Sequence, residues 1–360
     1  MRTTDLICDG WEFSLQPIGT EYSEGFDWQP VDIPHDWLIY DTCDLYKTST
    51  GWYRRSLTLP CDGKRTLVRF EGVYMDCRIY LNGILAGEWK YGYTTFDIDL
   101  TDLVREGENL LTVRVDHRAP NSRWYSGAGI YRKVWLERFG QEHIIPDGVY
   151  ISADNDGSVL VSVEAARPCD AGVTDLRVRA SVCRKGSEEV LACAENDAAA
   201  ADLSCIHPAV RREGFKYSVN TLLLQINDPK LWDITSPELY ICKAELIRNG
   251  EVIDTVSSSF GFRKIAFTAD KGFFLNDRHV KLHGVCEHHD LGALGAAVNR
   301  SAIKRKLLNL RAMGVNAIRT SHNPPAVEML ELADEMGFLV IDECFDMWAD
   351  DTNPTMAPTV

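Results

Sequence analysis

The sequence predicts a multidomain chain in which β structure gives way to α/β structure: two successive β-sandwiches, then the first part of a parallel β/α barrel. Three observations carry this. Short segments that alternate apolar and polar residues, separated by turn residues, recur as far as about residue 263, the period-two signature of half-buried strands. From about residue 265, strand candidates alternate with stretches of helical spacing, an order that makes neighbouring strands run parallel. Polar residues gather just after each of these later strands, as Glu287-His288-His289-Asp290, Ser321-His322-Asn323, and Asp342-Glu343 with Asp346. A β/α barrel places its active site at such positions.

Residues 1–142 read as the first sandwich, with Leu67-Val68-Arg69-Phe70, Cys77-Arg78-Ile79-Tyr80-Leu81 and Leu110-Leu111-Thr112-Val113-Arg114-Val115 as strands. Asn82-Gly83 joins two alternating runs; a two-residue hairpin needs positive φ at both positions, which Asn and Gly tolerate. Seven of the nine tryptophans lie in this segment, Trp11, Trp28, Trp37, Trp52, Trp89, Trp124 and Trp135. Indole faces stack on the C–H face of a sugar ring, so the density fits a carbohydrate-handling sandwich, although any single indole is more simply a core or sheet-edge aromatic.

The turn residues Ile145-Pro146-Asp147-Gly148 mark a boundary. Residues 146–263 then read as a smaller immunoglobulin-like sandwich, with strands at Val159-Leu160-Val161-Ser162-Val163, Leu176-Arg177-Val178-Arg179-Ala180 and Leu222-Leu223-Leu224-Gln225-Ile226. The polar, alanine-rich stretch 192–201 reads as an exposed loop, and the whole segment as a spacer without a catalytic constellation.

Residues 265–360 form the barrel segment. Val280-Lys281-Leu282-His283-Gly284-Val285 is its first strand. A helix follows from about Arg300 to Met313, capped by Asn299, with Ile303, Leu307, Leu310 and Met313 on one face and Gly314 as its stop. Ala317-Ile318-Arg319-Thr320 is the next strand. Pro324-Pro325 opens a second helix with Val327, Leu330 and Met336 as its apolar positions, and Phe338-Leu339-Val340-Ile341 is a buried third strand.

Composition narrows the classes of function. With 38 Lys+Arg against 53 Asp+Glu the net charge is -15, which disfavours partners bound through basic patches, so neither nucleic acid nor a membrane is expected. No apolar run has the length of a membrane span or a signal peptide, which points to the cytoplasm. The 11 cysteines form no CxxC pair, so free, buried thiols in a reducing compartment are expected rather than disulfides or zinc.

The chain resembles glycoside hydrolase family 2, the β-galactosidase and β-glucuronidase family, over essentially its whole length. The first segment carries the resemblance in Ile33-Pro34-His35-Asp36-Trp37, Gly51-Trp52-Tyr53-Arg54-Arg55, and Ser122-Arg123-Trp124-Tyr125-Ser126-Gly127-Ala128-Gly129-Ile130-Tyr131-Arg132. The second carries it in Leu231-Trp232 through Leu239-Tyr240 and in Phe260-Gly261-Phe262-Arg263. The third does so in Phe273-Phe274-Leu275-Asn276, Gly284-Val285-Cys286-Glu287-His288-His289-Asp290 and Arg319-Thr320-Ser321-His322-Asn323-Pro324-Pro325. The resemblance implies a jelly-roll sugar-binding domain, an immunoglobulin-like domain and a TIM barrel, in that order.

It also implies retaining hydrolysis of a β-linked galactoside by two carboxyls ~5–5.5 Å apart. In the family the acid/base belongs to an Asn-Glu pair after the fourth barrel strand and the nucleophile follows the seventh. Both glutamates are therefore expected beyond Val360, no catalytic residue is assigned here, and the chain by itself is expected to be inactive. An incomplete barrel is expected to leave unpaired strand edges.

His288 and His322 match family histidines that contact the glycone. Asp346 resembles an aspartate that binds glycone hydroxyls, and Arg123 sits on a loop that reaches the barrel mouth in relatives. No cofactor is expected, and no metal, because neighbouring residues at a strand end diverge and no matched pair completes a shell. Asp342 and Glu343 diverge for the same reason, and support of the barrel floor or hydrogen bonding to adjacent loops suits them better than catalysis. A β-glucuronidase of the same family and a non-catalytic carbohydrate-binding module are the alternatives, β-mannosidase fits less well, and a homo-oligomer stays open.

Overall fold

A computed structural model describes residues 1–171, 175–198 and 211–344. Its described residues group into two compact units. One holds Met1–Thr3, Phe139–Leu282 and Asp334–Phe338; the other holds Thr4–Arg138, His283–Ala333 and the described residues from Leu339 onward. The barrel strands thus share a unit with the first sandwich, although a whole domain separates them in sequence.

The first sandwich is the jelly roll. A six-stranded antiparallel sheet runs in the order Gln29–Val31, Trp11–Gln16, Ser49–Leu59, Gly107–His117, Cys77–Leu81, Ile84–Trp89. A four-stranded sheet faces it, in the order Thr3–Leu6, Val134–Phe139, Arg65–Phe70, Phe96–Asp99. Alternation decides the faces: Cys77, Ile79 and Leu81 point inward while Arg78 and Tyr80 do not. The core gathers Trp11, Tyr53, Val68, Phe70, Ile79 and Val113. Asn82 and Gly83 turn the predicted hairpin at φ of 53° and 77°. Of the seven tryptophans, Trp11, Trp37 and Trp52 are buried; Trp28, Trp89, Trp124 and Trp135 keep partial exposure.

The second sandwich pairs His143–Ala153, Ser158–Pro168 and Phe215–Gln225 in one sheet, and Val190–Asp197, Leu176–Arg184, Tyr240–Arg248 and Glu251–Phe260 in the other. Two expectations are corrected here. The turn residues 145–148 lie inside the strand His143–Ala153, where the register shifts between Ile144 and Val149; Pro146 is tolerated because a bulge needs no ladder N–H from it. The alanine-rich stretch is also no loop as far as Asp197. It pairs along Leu176–Arg184 and turns Ala192 and Ala194 toward the core, so small residues fill an inward face that a search for branched side chains passes over. Residues 199–201 of the expected loop lie outside the described residues.

A small antiparallel sheet, Ile265–Thr268, Gly272–Leu275 and Arg278–His279, precedes the barrel segment. The three parallel strands are Gly284–Glu287, Ala317–Thr320 and Leu339–Ile341, with helices Arg300–Ala312 and Val327–Met336 between them. The first strand starts later than expected, because the Val280 N–H is taken by the Phe273 carbonyl of the small sheet at 3.0 Å. Asn299 caps the first helix by accepting from the Ala302 N–H at 3.0 Å. Its buried residues are Ile303 and Leu307, whereas Met313 lies past the last turn and is exposed. The second helix buries Met329, Leu332, Ala333 and Met336, and leaves Val327 and Leu330 at the surface. Helix geometry explains the correction: Val327 lies two residues, about 200°, from Met329. Ile341, expected in a buried strand, is exposed. Among the described residues no helix is long and apolar enough to cross a membrane.

Packing in the jelly roll is tight enough to test. Gly51, on Ser49–Leu59, faces the Trp37 and Phe13 rings, which stack at 5.5 Å, and a Cβ there would lie 2.9 Å from a Phe13 ring carbon. Both rings are buried and cannot swing aside, so Gly51→Ala should destabilise the protein by about 1–3 kcal/mol. Calorimetry should register this as a Tm lowered by several degrees, and an unchanged Tm would contradict the packing described.

Candidate functional site

Parallel pairing brings the ends of the three barrel strands side by side, because Glu287 pairs with Thr320 and Arg319 with Ile341. The residues that follow are therefore neighbours in space although distant in sequence. His288 and His322 meet edge to face, with ring centroids 5.7 Å apart. Trp124, from the jelly-roll loop, covers both. Its ring stacks on His288 at 5.5 Å and 27°, and lies 5.4 Å from His322. The Trp124 indole N–H donates to the Tyr93 hydroxyl at 3.2 Å, and burial pushes that phenol well up, keeping it protonated.

Glu343 orients His322. Its carboxylate accepts from His322 Nδ1 at 2.8 Å and pairs through its other oxygen with Arg319, while its own N–H donates to Thr320 Oγ1 at 3.0 Å. A carboxylate on Nδ1 fixes the proton there and leaves Nε2 for a ligand. The expectation that Glu343 bonds to adjacent loops thus acquires a named partner.

The four residues 287–290 separate into different tasks. Glu287 pairs with Lys306 of the first helix at 2.6 Å, and the same ammonium donates to the carbonyls of His288 and Asp290, each at 3.4 Å. His289 turns inward between Tyr93 and Tyr131 and hydrogen-bonds the Ser126 carbonyl through Nε2 at 2.9 Å. Burial lowers its pKa to about 4, so it is a neutral structural ring. Among the described residues no group of three or more His, Cys, Asp or Glu side chains could hold a metal ion.

Of the residues singled out in the sequence, His288 and His322 come together. Arg123 is exposed at the tip of the same loop, its guanidinium 6.0 Å from the Trp124 ring centre. Asp346 lies outside the described residues. Sequence reasoning missed Trp124 as the wall of the site, Lys306, and Arg132. The Arg132 guanidinium is buried and donates to the carbonyls of Pro324 at 2.8 Å and Pro325 at 3.1 Å, just after His322. The cysteines depart from expectation in exposure: the ten described are free, and Cys77 and Cys242 are buried, but Cys43, Cys61, Cys169, Cys193, Cys286 and Cys344 are exposed.

Three family models match the chain in order: the sugar binding domain of glycosyl hydrolases family 2 over residues 22–139, glycosyl hydrolases family 2 over residues 146–263, and the TIM barrel domain of the same family over residues 267–349. Among curated proteins, "Beta-galactosidase BoGH2A" of Bacteroides ovatus is 40% identical over 94% of this chain and 40% of its own length. A "Putative beta-glucuronidase" of Formosa agariphila is 32% identical over 94% of this chain and 33% of its own length. The chain therefore spans two-fifths or less of these two relatives. Among solved structures, a glycosyl hydrolase family 2 member from Bacteroides cellulosilyticus DSM 14838 matches with a TM-score of 0.84 at 33% identity, over 97% of this chain and 48% of that one. A β-glycosidase from Bacteroides vulgatus matches with a TM-score of 0.81 at 31% identity, over 97% and 45%.

The buried histidines give the second unit a defined acid sensitivity. His35, bonded to the Tyr53 hydroxyl at 2.8 Å, is lowered to about 4 by burial, as is His289. An unfolded histidine titrates near 6.5, so between about pH 6.5 and 4 the unfolded chain binds protons that the folded ring refuses. This part of the stability is present above pH 6.5 and falls as pH drops toward 4, by up to about 1.4 kcal/mol per pH unit for each ring. Urea midpoints measured across that window should decline with pH, and His35→Gln and His289→Gln should each flatten the slope. An unchanged slope would show that these rings titrate normally.

Proposed function

Because the chain belongs to glycosyl hydrolase family 2, we propose that the protein is a retaining exo-β-glycosidase of the β-galactosidase type, acting on terminal β-linked galactosides. The observation that carries the reading is the convergence of His288, His322 and Trp124 at the ends of the parallel strands. Imidazole can donate to a sugar hydroxyl and strengthen that bond as charge develops at the anomeric centre. An indole beside the imidazoles offers an apolar face to the ring C–H groups. In this reading Arg123 and Asp346 complete the contacts to the glycone hydroxyls. The 40% identity to a β-galactosidase over nearly the whole chain supports the choice of sugar.

The two carboxyls of a retaining pair must flank the scissile bond ~5–5.5 Å apart. Glu287 is paired with Lys306, and Glu343 with Arg319 and His322; in this reading both have supporting roles and neither is assigned as acid/base or nucleophile. The described residues then recognise the glycone, and the reacting carboxylates come from elsewhere in the whole protein. The exposed free thiols suit a reducing compartment, and we assign the protein to the cytoplasm.

A second reading, β-glucuronidase, is favoured by relatives carrying that name at 32% and 30% identity. It requires a cation for the uronate carboxylate, whereas Arg319 is already paired with Glu343. Calorimetry on the 360-residue chain separates the readings. D-galactose should bind saturably and D-glucuronate should not, and His288→Ala and His322→Ala should each weaken galactose at least tenfold (on the order of 1.4 kcal/mol). An aryl β-galactoside should not be turned over by this chain. Binding of glucuronate alone would overturn the choice of sugar. Galactose binding unaffected by both substitutions would point to a separate carbohydrate-binding module, and turnover would overturn the assignment of the reacting carboxylates.

A further inference from the structure

We propose that Asp36 is the positioning residue of the glycone site: its buried carboxylate locks the loop that carries Trp124 to the segment that follows His288. Asp36 is 1% exposed and accepts four hydrogen bonds. Oδ1 takes the N–H groups of Leu38 and Ala128, each at 3.0 Å. Oδ2 takes the Tyr125 hydroxyl at 2.6 Å and the Ala296 N–H at 2.8 Å. The donors come from three places. Leu38 belongs to the turn beside Asp36 itself, Tyr125 and Ala128 to the Trp124 loop, and Ala296 to the stretch that leaves the first parallel strand after His288.

Two further features show that the surroundings are shaped for this carboxylate. Gly127 and Gly295 both have positive φ, at 68° and 59°. A Cβ on Gly127 would stand 2.8 Å from Oδ2, and one on Gly295 would collide with the same oxygen. Any side chain at either position would therefore separate the two segments. Among the described residues no Lys or Arg pairs with Asp36. Its oxygens are met by backbone and phenol donors alone. A carboxylate at this point satisfies donors from both segments at once, which an amide cannot do.

The test exploits that difference in the full 360-residue chain. In Asp36→Asn the amide oxygen can still serve Leu38 and Ala128, and the Tyr125 hydroxyl can turn to accept. The Ala296 N–H then faces another N–H, so the link to the His288 segment is the one that breaks. The ring of Trp124 shifts the NMR signals of the His288 ring protons. In Asp36→Asn those signals should move toward ordinary histidine positions, and galactose affinity should fall at least tenfold. Asp97→Asn, which breaks the Arg69 pair on the four-stranded sheet, should leave both readouts unchanged. Tyr125→Phe removes one of the four bonds and should shift His288 in the same direction by less.

His288 signals and galactose affinity left in place by Asp36→Asn would overturn the proposal, as would an equal response from Asp97→Asn. If Asp36→Asn does not fold, an unmoved His288 in Tyr125→Phe would overturn it. The affinity readout rests on the function proposed above, whereas the NMR readout does not. If the unsubstituted chain fails to bind galactose while His288 still moves in Asp36→Asn, the positioning role stands and the sugar reading falls.

Discussion

The buried guanidinium of Arg132 is the interaction on which the second unit depends. Loops that follow parallel strands have backbone groups that neither sheet nor helix satisfies, and burying them unpaired costs free energy. Arg132 donates to the carbonyls of Tyr93, Pro324 and Pro325, at 2.9, 2.8 and 3.1 Å in order of residue number, while its guanidinium lies over Tyr131. One side chain of the jelly roll thus answers an acceptor in a turn of its own domain and those of the turn that carries His322. The planar fork of donors makes this possible, and an ammonium would present a different geometry. These donors, with the Glu343 contact to His322, hold the turn from His322 into the second helix.

The same logic recurs at the neighbouring strand. The Ser126 carbonyl accepts from His289, and the Lys133 ammonium pairs with the buried Glu328 at 2.7 Å on the second helix. The jelly roll supplies cations and acceptors; the barrel segment supplies carbonyls, a carboxylate and a neutral ring. This complementarity explains how strands separated by a whole sandwich in sequence can share one compact unit with the first. Trp124 benefits directly, since its wall position requires both the Tyr93 hydroxyl behind it and the imidazoles in front to be fixed.

How far this was legible in the sequence follows from the range of each interaction. Strand alternation at Cys77–Leu81, the Asn82-Gly83 turn and the Asn299 cap are decided within a few residues, and reading them needs only local rules. The parallel order of the barrel strands was legible because connection length constrains it. The strand Val190–Asp197 was hidden by its alanines, whose value depends on what they pack against. The apolar face of the second helix was misplaced because its phase is set by contacts, which leave Val327 and Leu330 outside. The pairing of Glu343 with His322, and of Arg132 with Pro324 and Pro325, joins positions whose proximity only the fold creates.

What the site residues share is that each has a polar partner at its ring or its backbone. His322 is turned by Glu343, which is anchored in turn by Arg319 and by its own N–H on Thr320. The backbone of His288 is gripped at its carbonyl by Lys306, whose charge is balanced by Glu287. Trp124 is fixed through Tyr93. Recognition of a sugar ring discriminates between hydroxyl configurations only when donors and acceptors stay within a fraction of an ångström of their places. Under the proposed function, three aromatic rings in mutual contact, with polar partners on the Trp124 and His322 rings and on the His288 backbone, suit that requirement better than flexible charged side chains would. Under the same reading the acidic balance of the chain is no obstacle to a neutral ligand, because the groups assigned to recognise it are imidazoles and an indole rather than exposed cations.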